Sequence, residues 1–295
     1  LPLMKDFYLL SHIRKPEFMG NTRTYDKRHE QIADLPWSTE EINERLEQFK
    51  KLSDRVEKLY ATVPSNRKDA YFEMIQYPVQ ASNEMNKKML YAQFARHTPS
   101  DSASLWKKSD AAYDSIVSLT RRFNSLLDGK WNHIISTAPR GLIVFDKVKR
   151  TASSTALVSS PAPLQLWNGT EHDAVTGQHT VIDGLGHSGK AIYLGKGGTV
   201  EYEYRNFRKD SLTVEVCLVP THAVEGGKLR FAVSTDDREP QVFDCETAEY
   251  SEEWKVNILR AQAVKTARFP SGSRKGRIKI TALDEGVVID QIRLR

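Results

Sequence analysis

The sequence predicts an α+β chain in two parts, an N-terminal antiparallel helical bundle over residues 1–150 and a C-terminal antiparallel β-sandwich over residues 151–295. Three observations support this. Residues 1–150 hold three glycines (Gly20, Gly129, Gly141) and residues 151–295 hold the other thirteen. Helices exclude glycine on entropy grounds, whereas sheets use it at turns and bulges. All five methionines (Met4, Met19, Met74, Met85, Met89) fall in the first part. The hydrophobic spacing also changes beyond Thr151-Ala152-Ser153-Ser154, from steps of three and four to alternation.

The elements follow in chain order. A short helix is expected over Leu3–Ile13, ahead of Pro16. Ser38-Thr39-Glu40-Glu41 spells a capping box, in which Ser38 accepts from the Glu41 amide and Glu41 reaches back to the Ser38 amide. Ile42, Leu46, Phe49, Leu52, Val56, Leu59 and Val63 then form one helical stripe, which Pro64 stops. A second helix is expected from about Asn66 to His97, kinked at Pro78. A third runs from near Ser102 to Asp128, with Gly129 suited to the left-handed position after a helix end. Three long amphipathic helices joined by short loops make an antiparallel bundle. In the second part, Val200-x-Tyr202-x-Tyr204, Leu212-x-Val214-x-Val216-x-Leu218, Leu229-x-Phe231-x-Val233, Trp254-x-Val256-x-Ile258 and Ile278-x-Ile280-x-Ala282 alternate. About eight or nine short strands in a sandwich are expected.

Charge and composition narrow the function. The net charge is +5, and the basic pairs (Lys50-Lys51, Lys87-Lys88, Arg121-Arg122, Arg274-Lys275) are scattered among acids. That pattern reads as a solvated surface and gives no reason to expect a nucleic-acid partner. No apolar run reaches the length of about 18 residues that a membrane helix needs, so no membrane partner is expected. The N-terminus lacks a basic start followed by an apolar stretch, so no signal peptide is read there. With Leu1 in place of an initiator Met, the chain reads as a processed product or a piece of something longer. Cys217 and Cys245 alone cannot make a four-ligand zinc site, and they leave the redox compartment open.

Several motifs invite chemistry. Gly184-Leu185-Gly186-His187-Ser188-Gly189-Lys190 matches a dinucleotide fingerprint and nearly matches a phosphate-binding loop. Both need a helix N-terminus after the glycines, which Ala191-Ile192-Tyr193-Leu194-Gly195 cannot supply. The stretch reads as a glycine-rich turn before a strand, and no cofactor is expected. His12, His29, His97, His133, His172 and His179 are dispersed and point to no metal site. No GxSxG nucleophile elbow occurs, and Asn168-Gly169-Thr170 is a glycosylation sequon by pattern alone. Acids such as Asp69, Glu73, Glu84, Asp236, Asp237 and Glu239 are plentiful, yet nothing singles out the opposed pair that glycoside hydrolysis needs. No catalytic residue is therefore assigned. Trp37 precedes the capping box as a hydrophobic staple, and Trp254 is expected in a strand core. Trp131, beside Asn132 and His133, and Trp167 fall in irregular stretches near amides. These four residues are the candidate carbohydrate contacts, with simple packing of the rings as the alternative.

An ordered set of segments adds a more specific reading. It comprises Ile13-Arg14-Lys15-Pro16-Glu17-Phe18-Met19-Gly20, Tyr77-Pro78-Val79-Gln80-Ala81, Gly129-Lys130-Trp131-Asn132-His133, Gly184-Leu185-Gly186-His187-Ser188-Gly189, Pro220-Thr221-His222, Arg230-Phe231-Ala232-Val233-Ser234 and Gly286-Val287-Val288-Ile289-Asp290. Together they resemble the C-terminal half of the xylan α-glucuronidases of glycoside hydrolase family 115. The resemblance implies a longer enzyme that removes 4-O-methylglucuronic acid branches from glucuronoxylan. Such an enzyme has a small N-terminal domain, a catalytic (β/α) barrel, a helical bundle and a terminal β-sandwich, and this chain matches the last two. A barrel of that kind takes about 250 residues of alternating strand and helix, a pattern not found here, so none of the family's catalytic acids has a counterpart to carry over.

The resemblance further implies a homodimer, a catalytic barrel as partner, glucuronoxylan or an acidic oligosaccharide as ligand, and a secreted or periplasmic location. A mild positive charge suits an acidic saccharide weakly, and a cleft between bundle and sandwich would be a common place for a ligand. The expected role is non-catalytic: scaffold, dimerisation surface or wall of the substrate cleft. The rivals are a stand-alone carbohydrate-binding protein for xylan-type glycans and an enzyme working through an unforeseen cleft.

Overall fold

A computed structural model describes residues 2–21, 32–153, 156–157, 159–205, 207, 209–226, 229–236, 238–270 and 274–295. His29, Ser154 and Asp237 lie outside the described residues. The chain forms two compact units, Leu1–Pro161 and Ala162–Arg295. The sequence-based division at residue 150 falls between a 3₁₀ turn at Ile143–Phe145 and the first strand.

The first unit holds α1 (Pro2–Ile13), α2 (Thr39–Tyr60), α3 (Lys68–Tyr71), α4 (Tyr77–His97), α5 (Ser102–Asn124) and a last turn, α6 (Leu126–Gly129). The capping box at α2 is complete: Ser38 Oγ accepts from Glu41 N at 3.2 Å, and Ser38 N donates to Glu41 Oε2 at 2.8 Å. Ile42, Phe49, Leu52 and Val56 are buried, but α2 ends at Tyr60 and Leu59 is exposed.

The second expected helix is divided. A π-helical turn, Phe72–Gln76, leads into α4 immediately before Pro78. Proline offers no N–H to the i−4 carbonyl, and a widened turn is a usual way for a helix to absorb the missing bond. Nor is α4 amphipathic as expected. Val79, Asn83, Met85, Asn86, Lys88, Met89, Leu90, Ala92, Gln93, Ala95 and Arg96 are all buried, which makes it the central helix of the unit. The third helix stops at Asn124, short of Asp128. Leu127 and Asp128 take left-handed φ values of 51° and 56°, and Leu126 is drawn into a small core with Phe72 and Phe123.

Lys88 shows what a central helix demands of a charged side chain. It is fully buried, and its Nζ donates to the carbonyls of Val144 at 2.7 Å and Asp146 at 2.8 Å. Burial pushes its pKa down from 10.5 to about 8, only partly opposed by the Asp146 charge. Between these two values the unfolded chain binds a proton that the folded chain has released, so stability rises with pH across that window. Wild type is expected to gain up to about 3 kcal/mol relative to Lys88→Met from pH 8 to 10.5. Urea titrations of both proteins at each pH measure it, and parallel curves would contradict it.

In the second unit the strands are β1 (Gln165–Asn168), β2 (Ala174–Thr176), β3 (His179–Asp183), β4 (Lys190–Leu194), β5 (Thr199–Tyr204), β6 (Ser211–Leu218), β7 (Leu229–Thr235), β8 (Gln241–Cys245), β9 (Ala263–Pro270), β10 (Gly276–Ala282) and β11 (Val287–Leu294). One antiparallel sheet runs β3-β4-β11-β6-β9, with β1 also paired to β11, and the other runs β2-β5-β10-β7-β8. Their facing residues form one core: Val200, Tyr202 and Tyr204 with Leu212, Val214, Val216 and Leu218, Phe231 and Val233, and Ile278 and Ile280. The alternation read from the sequence marks these inward positions.

One expected strand is a helix. Trp254, Val256 and Ile258 lie in α7 (Glu252–Arg260). Ser251 caps it by accepting from Trp254 N at 3.2 Å, and Glu252 and Glu253 in the first turn suit the positive end of the helix dipole. Trp254 is only half-buried, and Val256 and Ile258 are exposed, so they are not a sheet's inner face.

Strand β11 carries a bulge. Ile289 pairs with Leu218 and Gln291 with Cys217, which leaves Asp290 as the extra residue. Gly169 N donates to the Asp290 carbonyl at 2.6 Å, and a Cβ at Gly169 would overlap the Ile289 carbonyl oxygen. Gly169→Ala is therefore expected to cost about 2–3 kcal/mol, seen as a lower denaturation midpoint with an unchanged slope. A wild-type midpoint would show that the strand yields freely.

Candidate functional site

The bulge turns Asp290 into the centre of a buried polar node. The side chain is fully buried. Oδ1 accepts from His187 N at 2.7 Å, and Oδ2 lies 2.6 Å from His187 Nδ1 and 2.7 Å from Gln262 Nε2. Gln262 Oε1 accepts from Arg293 at 3.1 Å, and Arg293 also donates to Gln291 Oε1 at 3.0 Å. Burial alone would raise the Asp290 pKa. The hydrogen bonds and charge of His187, with Gln262, more than offset it and hold the carboxyl below its usual 3.8. Gly186, at φ +77°, gives this carboxylate room, since a Cβ there would sit 2.5 Å from Oδ1. The glycine-rich stretch thus wraps a carboxylate of its own chain, which accounts for its resemblance to a phosphate loop without a phosphate.

The helical unit offers a different kind of site, a groove of about 560 Å3 over α4 between α2 and α5. Asp54 and Glu84 both line it. Asp54 takes Lys50 Nζ at 2.5 Å and its side chain is 62% exposed. Glu84 takes Lys87 Nζ at 2.7 Å and Asn83 Nδ2 at 3.0 Å. A glycosidase acid must be desolvated enough to hold its proton near neutral pH. Asp54 is solvated, and each carboxylate is neutralised by a lysine of its own helix, so the arrangement reads as paired surface charge.

The four candidate contacts are distributed over both units. Trp131, Asn132 and His133 follow α6 in the first, whereas Trp167 belongs to strand β1 in the second. Trp167 is not in an irregular stretch as expected. Its ring packs on the sandwich core, 6.1 Å from Tyr202. Trp131 packs against Phe72, Phe123 and Leu126, with Lys130 Nζ 4.7 Å from its ring and a buried Nε1 that finds no partner among the described residues. Asn132 and His133 are exposed. Cys217 and Cys245 are free and buried, and burial pushes both thiols up to about 12. Among the described residues no cluster of three His, Cys, Asp or Glu side chains is placed to hold a metal, and no helix is long and apolar enough to cross a membrane.

Sequence reasoning missed Asp290 and Gln262. The signal was present in part, because two of the quoted segments, Gly184–Gly189 and Gly286–Asp290, meet at this node.

Comparison with known proteins accords with this architecture. Residues 170–295 match the glycosyl hydrolase family 115 C-terminal domain. A solved 4-O-methyl-α-glucuronidase, BtGH115A, described as a family 115 enzyme with specificity for decorated arabinogalactans, is 45% identical over 100% of this chain with a TM-score of 0.88. This chain spans 38% of that protein's length. More distant likenesses include the exo-β-1,3-galactanase Pc1,3Gal43A of Phanerochaete chrysosporium (16% identity, TM-score 0.36, 44% of this chain and 29% of that one). Another is a family 6 module, CsCBM6-3, of Clostridium stercorarium (12%, 0.34, 44% and 92%). No curated protein sequence matches.

Proposed function

The chain belongs to glycoside hydrolase family 115, as its C-terminal helical and β-sandwich region, and from that premise we propose that it serves an α-glucuronidase acting on glucuronoxylan without itself breaking the glycosidic bond. Its work is to support the catalytic barrel, to dimerise, or to form a wall of the substrate cleft. The observation that carries this reading is the end-to-end correspondence of the chain to 38% of a longer glycosidase. A polymeric substrate also argues for a secreted or periplasmic setting. Asn132 and His133, both exposed, are the better sugar contacts of the original four, while the packing of Trp131 and Trp167 favours a structural part for the rings.

Two measurements test it. Light scattering is expected to give twice the chain mass, and a clean monomer removes the dimerisation role. Calorimetry with methylglucuronate-bearing xylo-oligosaccharides, and with decorated arabinogalactan fragments in parallel, separates scaffold from binding protein. A silent titration fits the scaffold. Saturable heat that Asn132→Ala and His133→Ala diminish makes the chain a carbohydrate-binding protein.

A further inference from the structure

Three aromatic rings from two separate connections meet on the surface of the sandwich unit. The Trp254 ring, in α7, lies 6.2 Å from the ring of His222, in the connection between β6 and β7, and 6.1 Å from that of Tyr250, just ahead of α7. The rings are tilted by 39° and 55°, so neither neighbour is stacked flat on the indole. His222 is exposed, Tyr250 is 61% exposed and Trp254 is half-buried. The cluster is not core, since no residue of α7 is buried. Soluble proteins seldom leave several rings together in water without a use for them. Tyr250 also sits at φ 68°, a left-handed backbone that costs a residue with a β-carbon what glycine would not pay. Strain that turns a ring out to solvent points to function. Both connections are held in place. Ala248 N donates to Glu246 Oε1 at 2.8 Å and Ser251 N to the Ala248 carbonyl at 3.2 Å. On the His222 side, Val219 N donates to the Val288 carbonyl at 2.9 Å and Thr221 Oγ1 to the Gly286 carbonyl at 3.0 Å. The rings are therefore ordered before any ligand arrives, which lowers the cost of binding.

The surrounding charge narrows the occupant. Glu225, Glu249 and Glu252, close in sequence to His222, Tyr250 and Trp254, are all exposed. The lysines nearby are engaged, Lys255 with Glu252 at 3.2 Å and Lys265 with Glu253 at 2.7 Å. An acidic rim whose lysines are occupied repels a carboxylate, so a glucuronate branch is a poor fit. An uncharged pyranose fits better, because its C–H face packs on an aromatic ring while its hydroxyls reach the polar atoms of a phenol and an imidazole. We propose that Trp254, Tyr250 and His222 bind the neutral backbone of a branched polysaccharide, with the rings packing against neighbouring sugar units. The choice of a saccharide rests on the family role proposed above, and the choice of backbone over branch rests on the acidic rim.

The test is calorimetric titration of the whole chain with xylotetraose, galactotriose and free glucuronic acid at millimolar concentrations. At least one neutral oligosaccharide is expected to bind saturably, and glucuronic acid at least about tenfold more weakly. Trp254→Ala is expected to abolish the heat. Tyr250→Gly suits the left-handed backbone, so it is expected to keep the wild-type melting temperature while weakening binding by about tenfold. Loss of heat in that variant is then loss of the ring and not of the fold. No heat with either neutral sugar overturns the proposal. So does tighter binding of glucuronic acid, or heat that survives Trp254→Ala. A dimer in light scattering that Trp254→Ala converts to monomer overturns it as well, because a second copy then covers the rings. The two readings fail separately: release of methylglucuronate by the chain counts against the non-catalytic role alone, and a silent backbone titration counts against this site alone.

Discussion

Asp290→Ala is expected to destabilise the sandwich unit by about 3 kcal/mol or more, on the order of 10 °C in melting temperature. The substitution takes the charged acceptor from the part-buried His187 amide and Nδ1, and leaves the buried Gln262 Nε2 only Gln291 Oε1 at 3.5 Å. Each loses a hydrogen bond to a charge, and Gln262 also keeps the cost of being out of water. Asp290→Asn retains the shape and can still accept from the His187 amide, so about half that loss is expected. The pH dependence follows from the depressed carboxyl. Above pH 3.8 the unfolded and folded chains both carry the carboxylate and its contribution is complete. Below 3.8 the unfolded chain takes up the proton first, and the contribution fades as pH falls through the lower folded value. Acid titrations of wild type and Asp290→Asn are expected to converge below pH 3.8. Curves that stay parallel would show that Asp290 does not anchor the node.

Arg45→Ala is expected to cost the helical unit about 3 kcal/mol, from hydrogen bonds made by a charged group and from lost packing. Arg45 is 5% exposed and no carboxylate pairs with it among the described residues. Its Nε donates to Asn86 Oδ1 at 2.9 Å, and its two terminal nitrogens donate to the carbonyls of Leu10 at 2.7 Å and Arg14 at 3.1 Å. The guanidinium also lies 4.6 Å from the Phe49 ring centroid and 5.8 Å from that of Trp37. Burial, then the nearby Arg14 charge, pushes its pKa down to about 9. It stays protonated at neutral pH, held by carbonyl dipoles and ring faces. This one side chain ties the end of α1 to α2 and α4. Arg45→Lys keeps the charge, but a single ammonium cannot reproduce the planar fork, so about 2 kcal/mol is expected. Arg45→Met fills the volume but leaves Asn86 Oδ1 and the Arg14 carbonyl without their donor and the Leu10 carbonyl with only Arg14 N at 3.3 Å. A cost close to that of alanine therefore assigns the loss to hydrogen bonding rather than to packing. Hydrogen exchange reads the effect locally, with protection in α1 expected to fall first. Unchanged α1 protection in Arg45→Ala would refute the role.

Local rules made most of the fold legible, and long-range ones hid the rest. Ser38 and Glu41 are three residues apart, and their capping box could be read directly. The alternation in β5, β6, β7 and β10 was legible because each strand turns one face to the core. Trp254-Val256-Ile258 alternates as well, but a residue cap at Ser251 and acids in the first turn outweigh the pattern in a surface helix. At Pro78 the sequence specifies a disturbance without its form, and a π-helical turn is one of several answers. The polar sites escaped for a different reason. His187 and Asp290 are 103 residues apart, and Arg45 meets Leu10 and Asn86 across 35 and 41. No spacing rule joins such positions before the chain has folded.

In the function proposed above, this chain contributes structure and surface to a glycoside hydrolase without itself breaking the glycosidic bond. The carboxylates that line its groove are paired with lysines, and its most buried one is committed to His187 and Gln262. The most direct measurement is the release of 4-O-methylglucuronate from aldouronic acids by the purified chain, against a protein-free blank. Release at the blank rate is the expected result. Turnover above the blank that Glu84→Gln or Asp54→Asn abolishes would contradict the account, because it would place a working acid pair within these residues.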